Sequence, residues 1–218
     1  MAGYLGNIPS AVPLTSADIT DGIITSAKIA NGTIAIADFS ATGTPSGSTF
    51  LRGDNVWGSA GASAGQVIQV VSTTKTDTFY VTYTGTYTDV TGMSVSITPS
   101  SASNKILVLV SMNVGNDQNA NASFSRLMRD STAIFIGDSA GSRIRSSTHT
   151  YIDNVRQTPT QIMFLDSPST TSATTYKIQA QTGGAGGGGF YLNWGADNTD
   201  NNNSARTASS ITVMEIKG

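Results

Sequence analysis

The chain has 218 residues, 12 Lys and Arg against 14 Asp and Glu, and a net charge of −2. That balance argues against a general nucleic-acid binder, which would be distinctly basic. With no cysteine it cannot form a disulfide, and its charged fraction of 12% is made up with Ser, Thr, Asn and Gly rather than apolar residues.

No apolar run approaches the roughly 20 residues of a membrane span, so membrane insertion is not expected. The opening MAGYLGNIPS lacks the basic and apolar regions of a signal peptide. Synthesis in the cytoplasm and release by lysis of the producing cell are expected. Glu215 is the only glutamate, helix formers are scarce, and β-branched and aromatic residues are common. The expectation is an all-β protein.

Residues 1–13, with Pro9 and Pro13, read as an extended peptide without its own core. Either it is a frayed terminus, or it is a tail that orders against a partner through Tyr4, Leu5 and Ile8.

Residues 14–43 are a decapeptide written three times: LTSADITDGI, ITSAKIANGT and IAIADFSATG. Leu14, Ile24 and Ile34 head the copies, and Ile19, Ile29 and Phe39 hold the sixth place. The first two copies close with the turn dipeptides Asp21-Gly22 and Asn31-Gly32. Each unit has too few apolar side chains to bury itself. Neighbouring repeats must stack, or equivalent repeats from other chains must wrap together. Three units make a very short solenoid, so the reading is a β-repeat neck formed between chains.

Residues 44–65 have the Gly, Ser and Ala content of a linker. Phe50, Leu51, Val56 and Trp57 are too apolar to stay exposed, and a collar between neck and head is expected there.

From residue 66 onward, short strands alternate with turn residues: 66–72, 79–84, 87–97 (bent at Gly92), 105–114, 122–129, 132–136, 141–152, 160–165, 174–182, 190–193 and 208–216. The run KILVLVSMNV is the most apolar and reads as a central strand. ITVMEI reads as an internal one. This spacing predicts a jelly-roll-like β-sandwich head over 66–218.

Catalytic chemistry is poorly supplied. One histidine (His149), one glutamate and no cysteine leave few nucleophile–base sets. The thirteen aspartates (14 acidic residues less Glu215) fall in no recognisable acid–base motif. No catalytic residue, cofactor or metal site is therefore assigned, and the chain is expected not to be an enzyme. Gly184, Gly186 and Gly189 formally match G-x-G-x-x-G, but a strand follows them where a phosphate site needs a helix. Asp117, Asn119 and Asn121 imitate a calcium loop that lacks its glycine and its closing glutamate. Arg52-Gly53-Asp54 is a chance-level tripeptide.

Two surface candidates remain. Arg126, Arg129, Arg143, Arg145 and Arg156 fall close together, and Arg143 and Arg145 share one face of their expected strand. They either pair with Asp130, Asp138 and Asp153 or form a patch for anionic groups of a surface polysaccharide. Tyr191 and Trp194 follow a glycine-rich tip, and their rings could stack on sugars. Strand alternation places Tyr191 with Asn193 on one face and Leu192 with Trp194 on the other.

LTSADITDGIITSAKIANGTI followed by STFLRGDNVWG resembles the shaft and collar of tailed-bacteriophage fibre proteins. MAGYLGN looks like the short tail by which such proteins attach to the virion. VTGMSVSITPSSASNKI, RLMRDSTAIFIGD and GSRIR are similar to a head domain of phage sequences. The resemblance implies a homotrimer in the virion, on the tail or the capsid. Its N-terminus (residues 1–13) would contact other phage structural proteins. Its head would contact host polysaccharide or an outer-membrane receptor, through Arg143, Arg145, Tyr191 and Trp194. A glycan-degrading tailspike is a further reading. The departure is size, since thirty residues reach at most about 100 Å even when extended.

Overall fold

The computed structural model describes residues 17, 22, 24–35, 38, 40–59, 61–82, 84–116, 122–151, 156–183, 188–197 and 199–218. Tyr4, Leu5, Ile8, Leu14, Ile19 and Phe39 lie outside the described residues. The chain divides into a unit of residues 1–61 and a unit of residues 62–218.

In the first unit the described residues of the repeat share a geometry that is not a strand. A 3-10 helix, Ser26–Lys28, occupies the second copy. Its bond from Lys28 N–H to Thr25 O, 2.8 Å, recurs ten residues later from Asp38 N–H to Ala35 O at 3.0 Å. Gly22 and Gly32, at the same place in adjacent copies, have φ of 78° and 80°. The Asn31-Gly32 turn forms as expected, closed by Thr33 N–H to Ala30 O at 3.1 Å. Among the described residues of the repeat, expected as a β-repeat neck, there is no strand, and a tight turn leaves little of a ten-residue unit for a ladder. Ile24, Ile29 and Ile34 are exposed, at 54%, 39% and 53%.

The segment read as a linker contains a hairpin. Strands β1 (Thr49–Leu51) and β2 (Trp57–Ser59) pair antiparallel. The RGDN turn between them is closed by Arg52 N–H to Val56 O, 2.9 Å, and has Asn55 at φ 61°. Arg52 and Asp54 pair with each other at 3.1 Å. Thr42 bridges to Val56, and a Cβ on Gly43 would stand 2.6 Å from Trp57 O, so only glycine fits there. Phe50 and Leu51 are exposed and Trp57 is half-buried.

The second unit is a sandwich of two antiparallel sheets, built from β3 (Val67–Lys75), β4 (Phe79–Thr82), β5 (Thr88–Ile97), β6 (Lys105–Asn116), β7 (Ala122–Arg129), β8 (Thr132–Ile134), β9 (Thr148–Tyr151), β10 (Gln157–Asp166), β11 (Thr174–Thr182), β12 (Gly189–Leu192) and β13 (Ser209–Ile216). In sheet one, β6 pairs β10 on one edge and is shared by β13 and β12 on the other; β3 and β4 flank those in turn. Sheet two runs β5-β11-β7, with β8 and β9 sharing the outer edge of β7.

Along the chain single strands or short runs of strands switch between the sheets, and the pairs nest. β3 meets β13, β5 meets β11, β6 meets β10, and β7 meets β9. A long hairpin folded over on itself in this way is a jelly roll.

The core lies between the sheets. From sheet one it takes Ile106, Val108, Val110, Met112, Phe190, Leu192, Ile211 and Val213; from sheet two it takes Met93, Val95, Ile97, Leu127, Tyr176 and Ile178. Gly92, with φ 84°, sits where the β5–β11 register shifts, which is the bend expected at that residue.

Two buried polar clusters lie at one end of the sandwich, where Asp166 and Glu215 flank Ile106 in the same register row. Asp166 on β10 accepts both Arg129 Nη1 contacts of 2.9 Å and the Tyr176 hydroxyl at 2.7 Å, tying sheet one to sheet two. Burial, with the carboxylate accepting its proton, pushes the Tyr176 hydroxyl well above its usual range. Glu215, 1% exposed, accepts Ser100 N–H at 2.6 Å, Ser100 Oγ at 2.8 Å and Asn104 Nδ2 at 2.6 Å.

The outer faces differ. Sheet two carries a polar ladder in which Asp89 accepts from Lys177 and Gln179, and Gln179 accepts from Arg126. Sheet one carries an aliphatic band: Leu165, Leu107, Met214 and Val70 are register neighbours across four strands, with Met163 and Leu109 beside them. Met163, Val70 and Leu165 are exposed at 67%, 56% and 47%.

Candidate functional site

The aromatic site is built around Asn193. Strand β12 ends at Leu192, and Asn193 follows with φ 67°, a left-handed backbone that asparagine tolerates better than most residues. Its side chain is fully buried. Nδ2 donates to Lys75 O at 3.0 Å and to Asp77 O at 2.9 Å, while Oδ1 accepts Ser209 Oγ at 2.6 Å. Its backbone N–H bonds Asn113 O and its carbonyl accepts Thr207 N–H. One residue thus joins the end of β3, the start of β13 and the middle of β6 at the point where β12 gives way to β13.

The reversal at Asn193 overturns the expected alternation. Trp194 turns to the same side as Tyr191, with ring centroids 5.1 Å apart and edge-on. Tyr80, the register partner of Tyr191, adds a third ring at 4.8 Å. The Arg206 guanidinium lies 5.2 Å from the Trp194 ring, and the indole N–H bonds Phe79 O at 3.3 Å. Two glycines make room for this arrangement. A Cβ on Gly115 would stand 2.6 Å from Trp194 O and 3.2 Å from Tyr191 Cβ. A Cβ on Gly189 would collide with the Tyr80 ring.

The segment 205–208 is fastened down. Gln157 Nε2 donates to Ala205 O at 2.8 Å and its Oε1 accepts Thr207 Oγ1 at 2.6 Å; Asn113 Nδ2 donates to Ala208 O at 3.1 Å. Between this segment and the start of β10 opens a groove of about 680 Å³. Trp194, Arg206, Arg156, Asp197, Asp200 and Asn203 are among its lining residues. Arg206 and Arg156 were not joined to the aromatic site by sequence reasoning. The run ADNTDNNNS reads in sequence as an Asn/Asp-rich solvent loop.

Arg143 and Arg145 are elsewhere. The strand expected over 141–152 is confined to β9, and both arginines lie in the loop between β8 and β9. They share no strand face: Arg145 Nε donates to Gly137 O at 2.7 Å and Arg143 N–H bonds Ala140 O. The arginines do not converge. Arg126 stacks over Tyr87 at 4.0 Å, Arg129 binds Asp166, and Arg156 faces the groove. Asp130 accepts Thr175 N–H at 2.8 Å rather than an arginine. Asp153 lies outside the described residues. His149 stacks on Phe124 at 5.5 Å on an exposed strand. Among the described residues no three His, Asp or Glu side chains gather to hold a metal.

No family model and no curated protein matches the chain. Solved structures with a similar fold include that of infectious bursal disease virus, Gx strain, at 11% identity and a TM-score of 0.38, covering 68% of this chain and 36% of that one. The VP2 subviral particle of infectious bursal disease virus is similar at 11% identity and a TM-score of 0.37, covering 74% of this chain and 44% of that one. The chain spans less than half the length of these structures, and the likeness concerns the fold alone.

Proposed function

We propose that the chain is a short trimeric fibre of a tailed-phage virion, anchored through residues 1–13 and adhering to the host surface through the sandwich. The observation that carries this reading is the repeat. It adopts the same turn in successive copies yet leaves Ile24, Ile29 and Ile34 exposed in the single chain. Apolar side chains at a fixed ten-residue spacing, bare in one copy, are satisfied when copies wrap around a common axis. The collar residues Phe50, Leu51 and Trp57 add to that surface. The uncharged aliphatic band on sheet one is a second face of the same kind, since exposed patches of this sort mark association.

In this account Tyr4, Leu5 and Ile8 dock onto another virion protein. The head adheres without making or breaking a bond, and it binds neither nucleic acid nor a membrane interior. Immunogold labelling of intact particles tests the assignment. Label on the tail supports the fibre, label confined to the capsid replaces the tail with a capsid mount, and particles without label refute both. New reducing ends after incubation with host envelope polysaccharide would turn the adhesin into a tailspike.

A further inference from the structure

We propose that the groove between Trp194–Thr207 and the Arg156–Pro159 end of β10 binds a neutral, hydroxyl-rich oligosaccharide. This rests on the reading of the head as an adhesin and names where and what it binds. The groove volume of about 680 Å³ falls in the range typical of small-ligand sites, roughly 300–1,000 Å³.

Its lining decides the ligand class. Arg156 and Arg206 are balanced by Asp197 and Asp200, so the groove has no net charge to favour an anion or a nucleic acid. Guanidinium, carboxylate and carboxamide groups are planar and present paired donors or paired acceptors. Adjacent hydroxyls of a sugar ring match such pairs, each hydroxyl both donating and accepting. Trp194 supplies an apolar wall for the C–H faces of a sugar ring.

One wall is also set before binding. Gln157, Asn113 and Asn193 hold Ala205, Thr207 and Ala208, beside Arg206, against the sheet, so little ordering entropy opposes a ligand on that wall. The loop of Arg143 and Arg145 does not line this groove.

The chain has two tryptophans, so Trp57→Phe leaves Trp194 as the sole indole reporter. The full chain would be titrated with maltoheptaose, dextran, mannan and polygalacturonate while emission is followed. A saturable change with at least one neutral glycan is expected, weakened roughly tenfold by Arg206→Ala or Asp200→Ala, the scale of one charge-assisted hydrogen bond. Arg143→Ala with Arg145→Ala should leave it unchanged. No saturable response to any probe, or a preference for polygalacturonate, overturns the proposal. So does binding that survives Arg206→Ala and Asp200→Ala. If that same chain still labels particles, the fibre reading stands and only the groove assignment falls. Circular dichroism of each variant separates lost binding from lost fold.

Discussion

The Ser209 hydroxyl donates to Asn193 Oδ1 across 2.6 Å, inside a junction where both residues are buried. This bond joins the first residue of the last strand to the residue at which the preceding strand stops. It fixes the direction in which Trp194 leaves the sheet. Asn193→Ala would orphan Lys75 O and Asp77 O and keep a strained φ. A loss of about 2–4 kcal/mol is expected. Asn193→Gly relieves the backbone but not the amide bonds and should recover about 1 kcal/mol of that. Thermal unfolding of the three chains checks the order: native, then glycine, then alanine.

Gly115→Ala should separate fold from site. The obstruction is the backbone oxygen of Trp194 at 2.6 Å, which cannot swing away as a side chain could. The Trp194 segment must shift, so the indole emission should change and groove binding should fall about tenfold or more, as one misplaced polar contact implies. The unfolding transition should remain cooperative.

Asp166 predicts a stability loss without a change of site. Asp166→Ala leaves the Tyr176 hydroxyl and the half-buried Arg129 without their shared acceptor. Removing one partner of a buried pair costs about 3–5 kcal/mol. Tyr176→Phe should cost about 1 kcal/mol, one ordinary hydrogen bond. Urea midpoints with unchanged slopes would give both values.

Glu215 predicts an acid limb. Burial raises its pKa, but the hydrogen bonds from Asn104 and Ser100 outweigh burial and hold it below the ordinary value of 4.5. A folded-state pKa below the unfolded one means that the unfolded chain takes up the proton first. The contribution is therefore complete above the unfolded pKa and is lost as pH falls from there through the folded value. Glu215→Gln should lose less stability than the native chain across that window. Equal pH dependence in the two chains would contradict the assignment.

Much of the sandwich was legible because its strands obey period-two burial. The run 105–114 reads as a central strand and is one, with Ile106, Val108, Val110, Met112 and Val114 facing inward. Arg143 and Arg145 misled because polar alternation in GSRIRSSTHT imitates a strand, while β8 and β9 divide one edge of β7 and leave residues 135–147 to cross the gap. The aromatic site was half legible. Tyr191 and Trp194 were identified, but a period of two put them on opposite faces. The reversal at Asn193 depends on partners far along the chain, Lys75, Asp77 and Ser209, which local pattern cannot reveal. The repeat was legible in its ten-residue register, while the 3-10 turn at Ser26–Lys28 was not, since ten residues between glycines suit such a turn as well as a strand.

The central claim is that exposed repeat residues meet their equivalents in other copies. Sedimentation equilibrium of the full chain at micromolar concentration tests it most directly, with Ile24→Asp and Ile34→Asp together as the paired variant. The account predicts a mass three times that of the 22.5 kDa chain for the native protein and a shift toward smaller species for the variant. A native chain that sediments at 22.5 kDa, or a variant that remains fully trimeric, would contradict it.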